Sequence, residues 1–285
     1  MLHSIVLAGG TGSRLYPMSS AVNKHLMPVF DKPMIFYSIS LAMLAGARDI
    51  SVICNANDLE SYIKLLGDGS NYGVNLEYIL QDKALGICDG LRLGLLRGFE
   101  RNLLLLGDNI LVGGQLKDLL TRFCGGGKKS SALVCHVNEP KKFGVLRRNR
   151  DGAPTEVVEK PDQFISNEVV TGIYCFPDSA LEVVEQMEPS ARGEFEVSDL
   201  LNYYIRNDDC SIFGLSRADF WIDAGEPTAL FEAAQVVFQS ERRTGKQIAC
   251  LEEIALNSGW IDRQDVERVI TTLPAGRYRD YLERL

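Results

Sequence analysis

Four short apolar runs, residues 4–7, 50–54, 76–80 and 102–106, alternate with stretches of helical periodicity over the first 110 residues. A strand, a crossover helix and a second strand build a parallel pair, and helices on both faces require strands that are apolar throughout. The pattern predicts strands at Ser4–Leu7, Ile50–Cys54, Leu76–Leu80 and Asn102–Leu106. Between them it predicts helices at Met34–Leu44, Asn57–Leu66 and Cys88–Gly98. The first of these is expected to bury one apolar face, and Asn57 or Asp58 to cap the second. The expected fold class is α/β, with a doubly wound, mixed and mostly parallel sheet.

After residue 130 the rhythm changes. The segments "SALVCHVNEP", "FGVLRRNRDGAPTEVVEKP" and "VVTGIYCF" hold short strands, with Asp151-Gly152 turning the chain between two of them. They predict a small β extension carrying a second ligand surface. Phe195, Leu200, Leu201, Tyr204 and Ile205 fall at near-helical spacing, and further helices are expected at Thr228–Arg243, Leu251–Asn257 and Asp262–Thr272. The expected organisation is a core with its β extension over 1–226 and a mostly helical C-terminal region over 227–285 packed on it.

With 46% hydrophobic and 24% charged residues, a chain of 285 residues has material for one large domain or two modest ones. No apolar run approaches the roughly 20 residues of a membrane span. The N-terminus lacks the basic region and cleavage site of a secretory signal, so a cytoplasmic protein with no membrane partner is expected. Seven scattered cysteines without a CxxC pair argue against a disulfide framework or a zinc site. A net charge of −8 speaks against a nucleic-acid partner. The basic runs at 147–150 and Lys128-Lys129 read as solvated turns.

Directly behind the first strand stands "LAGGTGSRLYP", residues 7–17. A dinucleotide fingerprint needs a third glycine where Leu15 stands. A phosphate-binding loop of the Gly-Lys-Ser/Thr type fails because Ser13-Arg14 follows Gly12, and "GGGKKS" fails because Lys129 follows Gly127-Lys128. What remains is a loop whose backbone N–H groups close on phosphate, with Arg14 as a planar charge partner. Lys24, in "NKHLMP", adds a point charge, and two cations beside a glycine loop suit a triphosphate. The plainer alternative is a tight turn with two surface cations.

Asp108 follows the strand 102–106, at the carboxyl edge where open α/β sheets bind ligands. It suits a hard cation bridging to phosphate; a turn or capping aspartate is the alternative. Asp223 likewise leaves an apolar segment at a sharp turn. Glu159-Lys160 ends a strand, where neighbours face opposite sides and a simple ion pair between them is not expected. Arg192 and Glu194 are expected to open a helix, with a role in holding ligand as the alternative, His25 to pack or cap, and His136 to be structural within an apolar strand. No nucleophile–base pair is visible.

Taken in order, "LAGGTGSRLYP", "NKHLMP", "DKPMIFYSIS", "LLGDGSNYGVNLEYILQ", "LLLLGDNI", "HVNEPKKFGV", "VVEKP", "VTGIY", "ARGEFEVSD", "WIDAG" and "CLEEIALNSGWID" resemble the sugar-1-phosphate nucleotidylyltransferases over nearly the full length. More narrowly they resemble the bacterial branch that joins a thymidine nucleotide to glucose 1-phosphate. The resemblance implies a Rossmann-like nucleotidyltransferase core, Mg2+ as cofactor and a homo-oligomer, tetramer or dimer. It implies transfer from a pyrimidine nucleoside triphosphate, dTTP before others, to a sugar 1-phosphate, with pyrophosphate released. Leu7, Gly9, Gly10, Thr11, Gly12, Ser13, Arg14, Gln81, Gly86 and Asp108 match nucleotide-binding positions. Asn109, Gly144, Glu159, Lys160 and Val170 match the sugar-phosphate pocket, which the β extension supplies. Asp108 and Asp223 match the metal-binding carboxylates, and Arg14, Lys24 and Lys160 the catalytic cations.

The chain departs from that branch around the nucleotide. Its base-reading stretch runs Gln-Pro-Ser-Pro-Asp-Gly-Leu-Ala-Gln-Ala; here Gln81 and Gly86 keep their register, both prolines are absent, and Cys88-Asp89-Gly90 replaces Ala-Gln-Ala. Losing the prolines loosens the loop, and Asp89 brings a negative charge towards a polyphosphate. Lys24-His25 stands for Lys-Gln, and Asp223-Ala224-Gly225 for Asp-Thr-Gly. UTP or CTP as substrate, or a homologue that holds a nucleotide sugar without turnover, therefore stays open. A dinucleotide-dependent oxidoreductase is disfavoured by Leu15.

Overall fold

The computed structural model describes residues 1–83 and 85–285. From β1 (Leu2–Leu7) the chain passes a small hairpin, β2 (Pro28–Val29) and β3 (Lys32–Pro33), into α1 (Ile35–Leu44). Then come β4 (Asp49–Cys54), α2 (Leu59–Leu66), β5 (Asn75–Leu80), α3 (Ile87–Leu95) and β6 (Arg101–Leu106). The four longer strands lie side by side in the order β6-β1-β4-β5, all parallel. Their side chains alternate between two dry faces. Val6, Val52, Leu103 and Leu105 join one core, whereas Ile5, Ile53 and Leu104 join the other. That is why the runs read as continuously apolar.

The second half follows as β7 (Asn109–Val112), α4 (Leu116–Cys124), β8 (Ser130–His136), β9 (Gly144–Arg148), β10 (Pro154–Glu159) and β11 (Glu168–Pro177). Next are α5 (Ala180–Glu185), α6 (Val197–Arg206), β12 (Cys210–Gly214) and β13 (Phe220–Asp223). Strand β11 runs antiparallel to β6, β8 and β9, which makes the nine-stranded sheet mixed. The hairpin β9–β10 forms its far edge and turns at Asp151-Gly152, where the Asn149 carboxamide oxygen accepts from the backbone N–H of Asp151 and Ala153. Strands β7 and β13 pair separately, with Asp223 opposite Asn109. Helices α7 (Pro227–Thr244), α8 (Leu251–Asn257), α9 (Arg263–Thr272) and α10 (Arg277–Leu282) complete the chain. No helix among the described residues is long and apolar enough to cross a membrane.

Several local expectations need correction. Helix α1 buries nine of its ten residues instead of one face, because α4 and α8 cover the side turned away from the sheet. Neither Asn57 nor Asp58 caps α2 through its side chain: Asp58 precedes the helix in a helical backbone conformation, and its carboxylate turns instead to Asn23 Nδ2 at 2.7 Å. Arg147 and Arg148 lie on β9, not in a turn, paired with Glu156 and Glu168. His136 is exposed at the end of β8. Helix α10, beyond the helices expected from the sequence, is anchored by buried Tyr281 and Leu282.

Helix α3 lies close against β1 because Gly90 and Gly94, one turn apart, face it. A Cβ on Gly94 would stand 2.4 Å from Ile5 Cδ1 and Cγ1, and Ile5 is fully buried. Gly94→Ala is therefore expected to destabilise the protein by about 1–3 kcal/mol, the usual range for overpacking. That loss outweighs the roughly 1 kcal/mol of helix propensity gained. Thermal or denaturant unfolding checks this, and an unchanged or raised midpoint would contradict the close packing.

Candidate functional site

The register of the parallel strands brings their carboxyl ends to one level. Leu7 pairs with Leu106 and Cys54 with Leu80, so the segments after β1, β6, β4 and β5 emerge together. Gly107 N–H donates to the Leu7 carbonyl, Ala8 N–H to Ile53 and Gln81 N–H to Cys54. The chain crosses from β5 back to β6 on the other side of β1, which is the reversal of strand order where such sheets open a crevice.

The loop after β1 fills that crevice. Gly12 has φ of 64°, in the left-handed region, and starts a single turn of 3-10 helix at Ser13–Leu15. Among the described residues the backbone N–H groups of residues 9–12 have no hydrogen-bond partner, although Gly9 is buried. Unpaired N–H groups beside a strand end are a ready cradle for an anion. Lys24 lies across this loop: a Cβ on Gly10 would stand 3.0 Å from its Cε and 3.2 Å from its Nζ.

Lys24 Nζ donates to Asp108 Oδ2, and both side chains are nearly inaccessible. Burial by itself pushes the Asp108 carboxyl up, but the Lys24 ammonium prevails and holds it below the usual carboxylate range. The other Asp108 oxygen accepts from Asn109 Nδ2 at 3.1 Å. Asn109 Oδ1 in turn accepts from Gly172 N–H and from Trp221 Nε1 on β13. His25 is buried beside the pair, and burial with the neighbouring ammonium lowers it to about 3, so it is neutral. Its Nδ1 meets Asn23 Oδ1 at 2.9 Å, the packed role expected for it.

Asp223 arrives from a strand more than a hundred residues later. The β7–β13 ladder sets it opposite Asn109, and Ala224 N–H donates to the Asp108 carbonyl at 2.9 Å. Burial raises the Asp223 carboxyl, the Asp108 carboxylate raises it further, and Arg14 and Lys24 oppose without cancelling. Arg14 reaches Asp223 at 3.8 Å and Glu226 at 3.4 Å. It does so across Gly225, where a Cβ would stand 2.6 Å from Arg14 Nη2.

These groups line one cavity of about 230 Å³, shared by Arg14, Asp108, Asn109, Gly144, Glu159, Lys160, Val170 and Asp223. The same wall holds Lys142, Phe143, Tyr174 and Trp221, which sequence reasoning missed. Trp221 carries a legible signal, since it lies two positions before Asp223 and strand alternation puts both on one face. Lys142 carries none; Glu226, which bridges it and Arg14 at 3.4 Å each, is legible only once the fold is known.

The remaining predicted residues, Lys24 among them, are not part of this cavity's lining. Leu7 packs under α3, where a Cβ on Gly90 would touch it. Gly9, Gly10, Thr11, Gly12 and Ser13 form the loop, and Gln81 stands beside Gly9. Gly86 precedes α3 with φ of 114°, pressed against the Phe195 backbone. Asp89 does not turn a free charge towards the crevice: it accepts from Gln81 Nε2 at 2.7 Å and pairs with Arg92 at 3.4 Å.

Two further expectations are corrected here. Lys160 sits past the end of β10 with φ of 42°, which breaks strand alternation and brings its Nζ within 3.8 Å of Glu159. Arg192 and Glu194 precede α6, which starts at Val197, because Gly193 at φ 75° keeps the helix from starting earlier. Arg192 pairs with Glu159, Glu194 and Glu196 at 3.2–3.6 Å. Burial and then Glu196 push the Glu159 carboxyl up, against Lys160 and Arg192.

Among the described residues no three His, Cys, Asp or Glu side chains converge as a closed metal cage. Asp108 and Asp223 do fit a hard cation that keeps water and phosphate oxygens as its other ligands. Burial and then the Asp108 carboxylate raise Asp223, and a cation beside the two carboxylates would offset both.

A sequence model of the family described as "Nucleotidyl transferase" matches residues 3–240. The glucose-1-phosphate thymidylyltransferase of Neisseria meningitidis is 38% identical over 285 residues, covering 100% of this chain and 99% of that protein. The enzyme of the same name from Mycobacterium tuberculosis is 35% identical over 287 residues, with 100% and 99% coverage. A crystal structure described as a glucose-1-phosphate thymidylyltransferase from Bacillus anthracis superposes with a TM-score of 0.77 at 33% identity, over 83% of this chain and 95% of that one. A UDP-glucose pyrophosphorylase complexed with UDP-glucose shares the fold at a TM-score of 0.73 and 22% identity, over 84% and 99%.

Lys24→Met leaves the Asp108 carboxylate buried without its partner, and a loss of about 3–5 kcal/mol at neutral pH is expected. A depressed carboxyl contributes stability that is present above its unfolded value and is lost as pH falls through the folded one. Unfolding of both forms across acid pH checks this. The gap between them should close in the acid range, and a pH-independent gap would argue against the ion pair.

Proposed function

The chain belongs to the nucleotidyl transferase family, and from that premise we propose that it transfers a nucleotidyl group from a pyrimidine nucleoside triphosphate, dTTP before UTP or CTP, to glucose 1-phosphate. The observation that carries this reading is the meeting of Asp108, Asp223, Arg14 and Lys160 in one cavity beside the glycine loop. Relatives at 35–38% identity carry the matching name over their full length.

A phosphate oxygen of the sugar phosphate attacks the α-phosphorus, a new O–P bond forms, and the bond to the β-phosphate oxygen breaks in line. The attacking oxygen is already anionic, so no general base is needed. The requirement is to bring two polyanions together and stabilise the charge on the leaving pyrophosphate. The loop N–H groups of residues 9–12, with Ser13, Arg14 and Lys24, hold the triphosphate. Gln81 and Gly86 meet the base; Leu7 supports the loop from below. Lys160 anchors the incoming phosphate, and Asn109, Gly144, Glu159 and Val170 shape the sugar pocket. Asp108 and Asp223 would hold Mg2+, which supplies charge neutralisation between the two phosphates.

Pyrophosphate release from four nucleoside triphosphates against several hexose 1-phosphates, with Mg2+, tests the reading; silence in every combination favours a non-catalytic homologue. Arg14→Ala is expected to lower turnover by about 10²–10³-fold, the scale of one lost electrostatic donor. Asp223→Asn is expected to abolish Mg2+-dependent turnover and raise the thermal midpoint at neutral pH. Its raised carboxyl is a cost of ionisation in the fold, which a neutral amide removes and which vanishes in acid. A variant that is both active and unshifted would remove Asp223 from the site.

A further inference from the structure

Gln81 stands just past the end of β5, almost fully buried beside Gly9, and its amide is held in one orientation by Asp89. Gln81 Nε2 donates to Asp89 Oδ2 at 2.7 Å, and Arg92 holds the other Asp89 oxygen at 3.4 Å. A carboxylate only accepts, so it must face the NH2 end of the amide and never the carbonyl end. Gln81 Oε1 is thereby turned the other way, to 3.3 Å from where a Cβ on Gly9 would stand. Asn55 Oδ1 faces the same spot at 3.4 Å, its own Nδ2 donating to the Gly9 carbonyl. Among the described residues neither oxygen has a donor. Two acceptors thus converge on the side of the glycine loop where a Cβ of buried Gly9 would stand.

We propose that Asp89 is a positioning residue that sets base selectivity, locking Gln81 with its carbonyl oxygen towards the base so that the subsite takes a pyrimidine whose N3 carries a proton. The inference rests on the reading that Gln81 meets the base. A uracil or thymine ring presents an N3–H donor flanked by carbonyl acceptors. It matches Gln81 Oε1 together with the second hydrogen of Nε2. Cytosine has a bare N3, which needs the amide reversed. An unrestrained glutamine turns over at little cost and serves either ring; with Asp89 behind it, reversal sets carbonyl oxygen against carboxylate.

The test compares kcat/KM for dTTP, UTP and CTP, each with glucose 1-phosphate, in the unaltered protein and in Asp89→Asn. Asparagine both donates and accepts, so it releases the amide with little change in shape. The ratio of dTTP to CTP efficiency is expected to fall by about tenfold, within the range one correctly placed base-edge pair discriminates. The change should sit in KM, since the amide is remote from the reacting phosphorus. Gln81→Met should lower the ratio as well, and Asp89→Asn added to it should lower it no further, because Asp89 acts through Gln81. If the Asn variant does not fold, Asp89→Gln carries the same comparison. An unaltered protein that uses no pyrimidine triphosphate would sink the functional reading and this inference with it. An active protein whose ratio is unmoved by Asp89→Asn, or whose double variant falls further than Gln81→Met alone, would overturn this inference and leave the function standing.

Discussion

Lys24 and Asp108 pair where the central strands end, with little water available to either side chain, and most of the site's chemistry follows from that contact. Ionic groups cannot be distributed through a sheet that is dry on both faces, so they collect at its carboxyl edge. The pair fixes Lys24 across the glycine loop, fixes Asp108 against Asn109, and through Asn109 reaches Trp221 on the strand that bears Asp223. A negative excess then remains on Asp223, which Arg14 balances only in part. On the proposed function, this imbalance is what a cation bridging to the phosphates of the substrates would offset.

Two acidic residues near the crevice are both engaged. Asp89 is held by Gln81 and Arg92, and Glu226 bridges Arg14 and Lys142. From the sequence alone Asp89 reads as a charge unfavourable to a polyphosphate. In the folded chain Asp89 is neutralised locally and sets the orientation of a neighbour. Glu226 occupies two half-exposed cations through contacts too weak and too wet to compete strongly with phosphate.

Stability and site chemistry pull in opposite directions at Asp223 but not at Asp108. The difference lies in partners: one carboxylate has an ammonium in contact, the other a guanidinium at 3.8 Å and a like charge behind it. Two carboxylates in one crevice thus have their affinities for protons driven apart, the pattern the proposed function would use.

The sequence by itself determined the alternation of strands and helices, the apolar character of both sheet faces, the glycine loop and the chemical types available around it. These are written locally, because side-chain period and backbone preference depend on near neighbours. It also led to Asp108, since the end of an apolar run marks the carboxyl edge. Tertiary structure decided the rest. Helix α1 is buried all round because α8, two hundred residues later, covers it. Lys160 faces the cavity beside Glu159 through a left-handed backbone that a strand pattern does not announce. Asp223 meets Asp108 because β13 pairs with β7, a contact between segments too far apart in the chain for any local pattern to specify. Such pairings are selected by the packing of the whole core, and it is there that two distant carboxylates became one site.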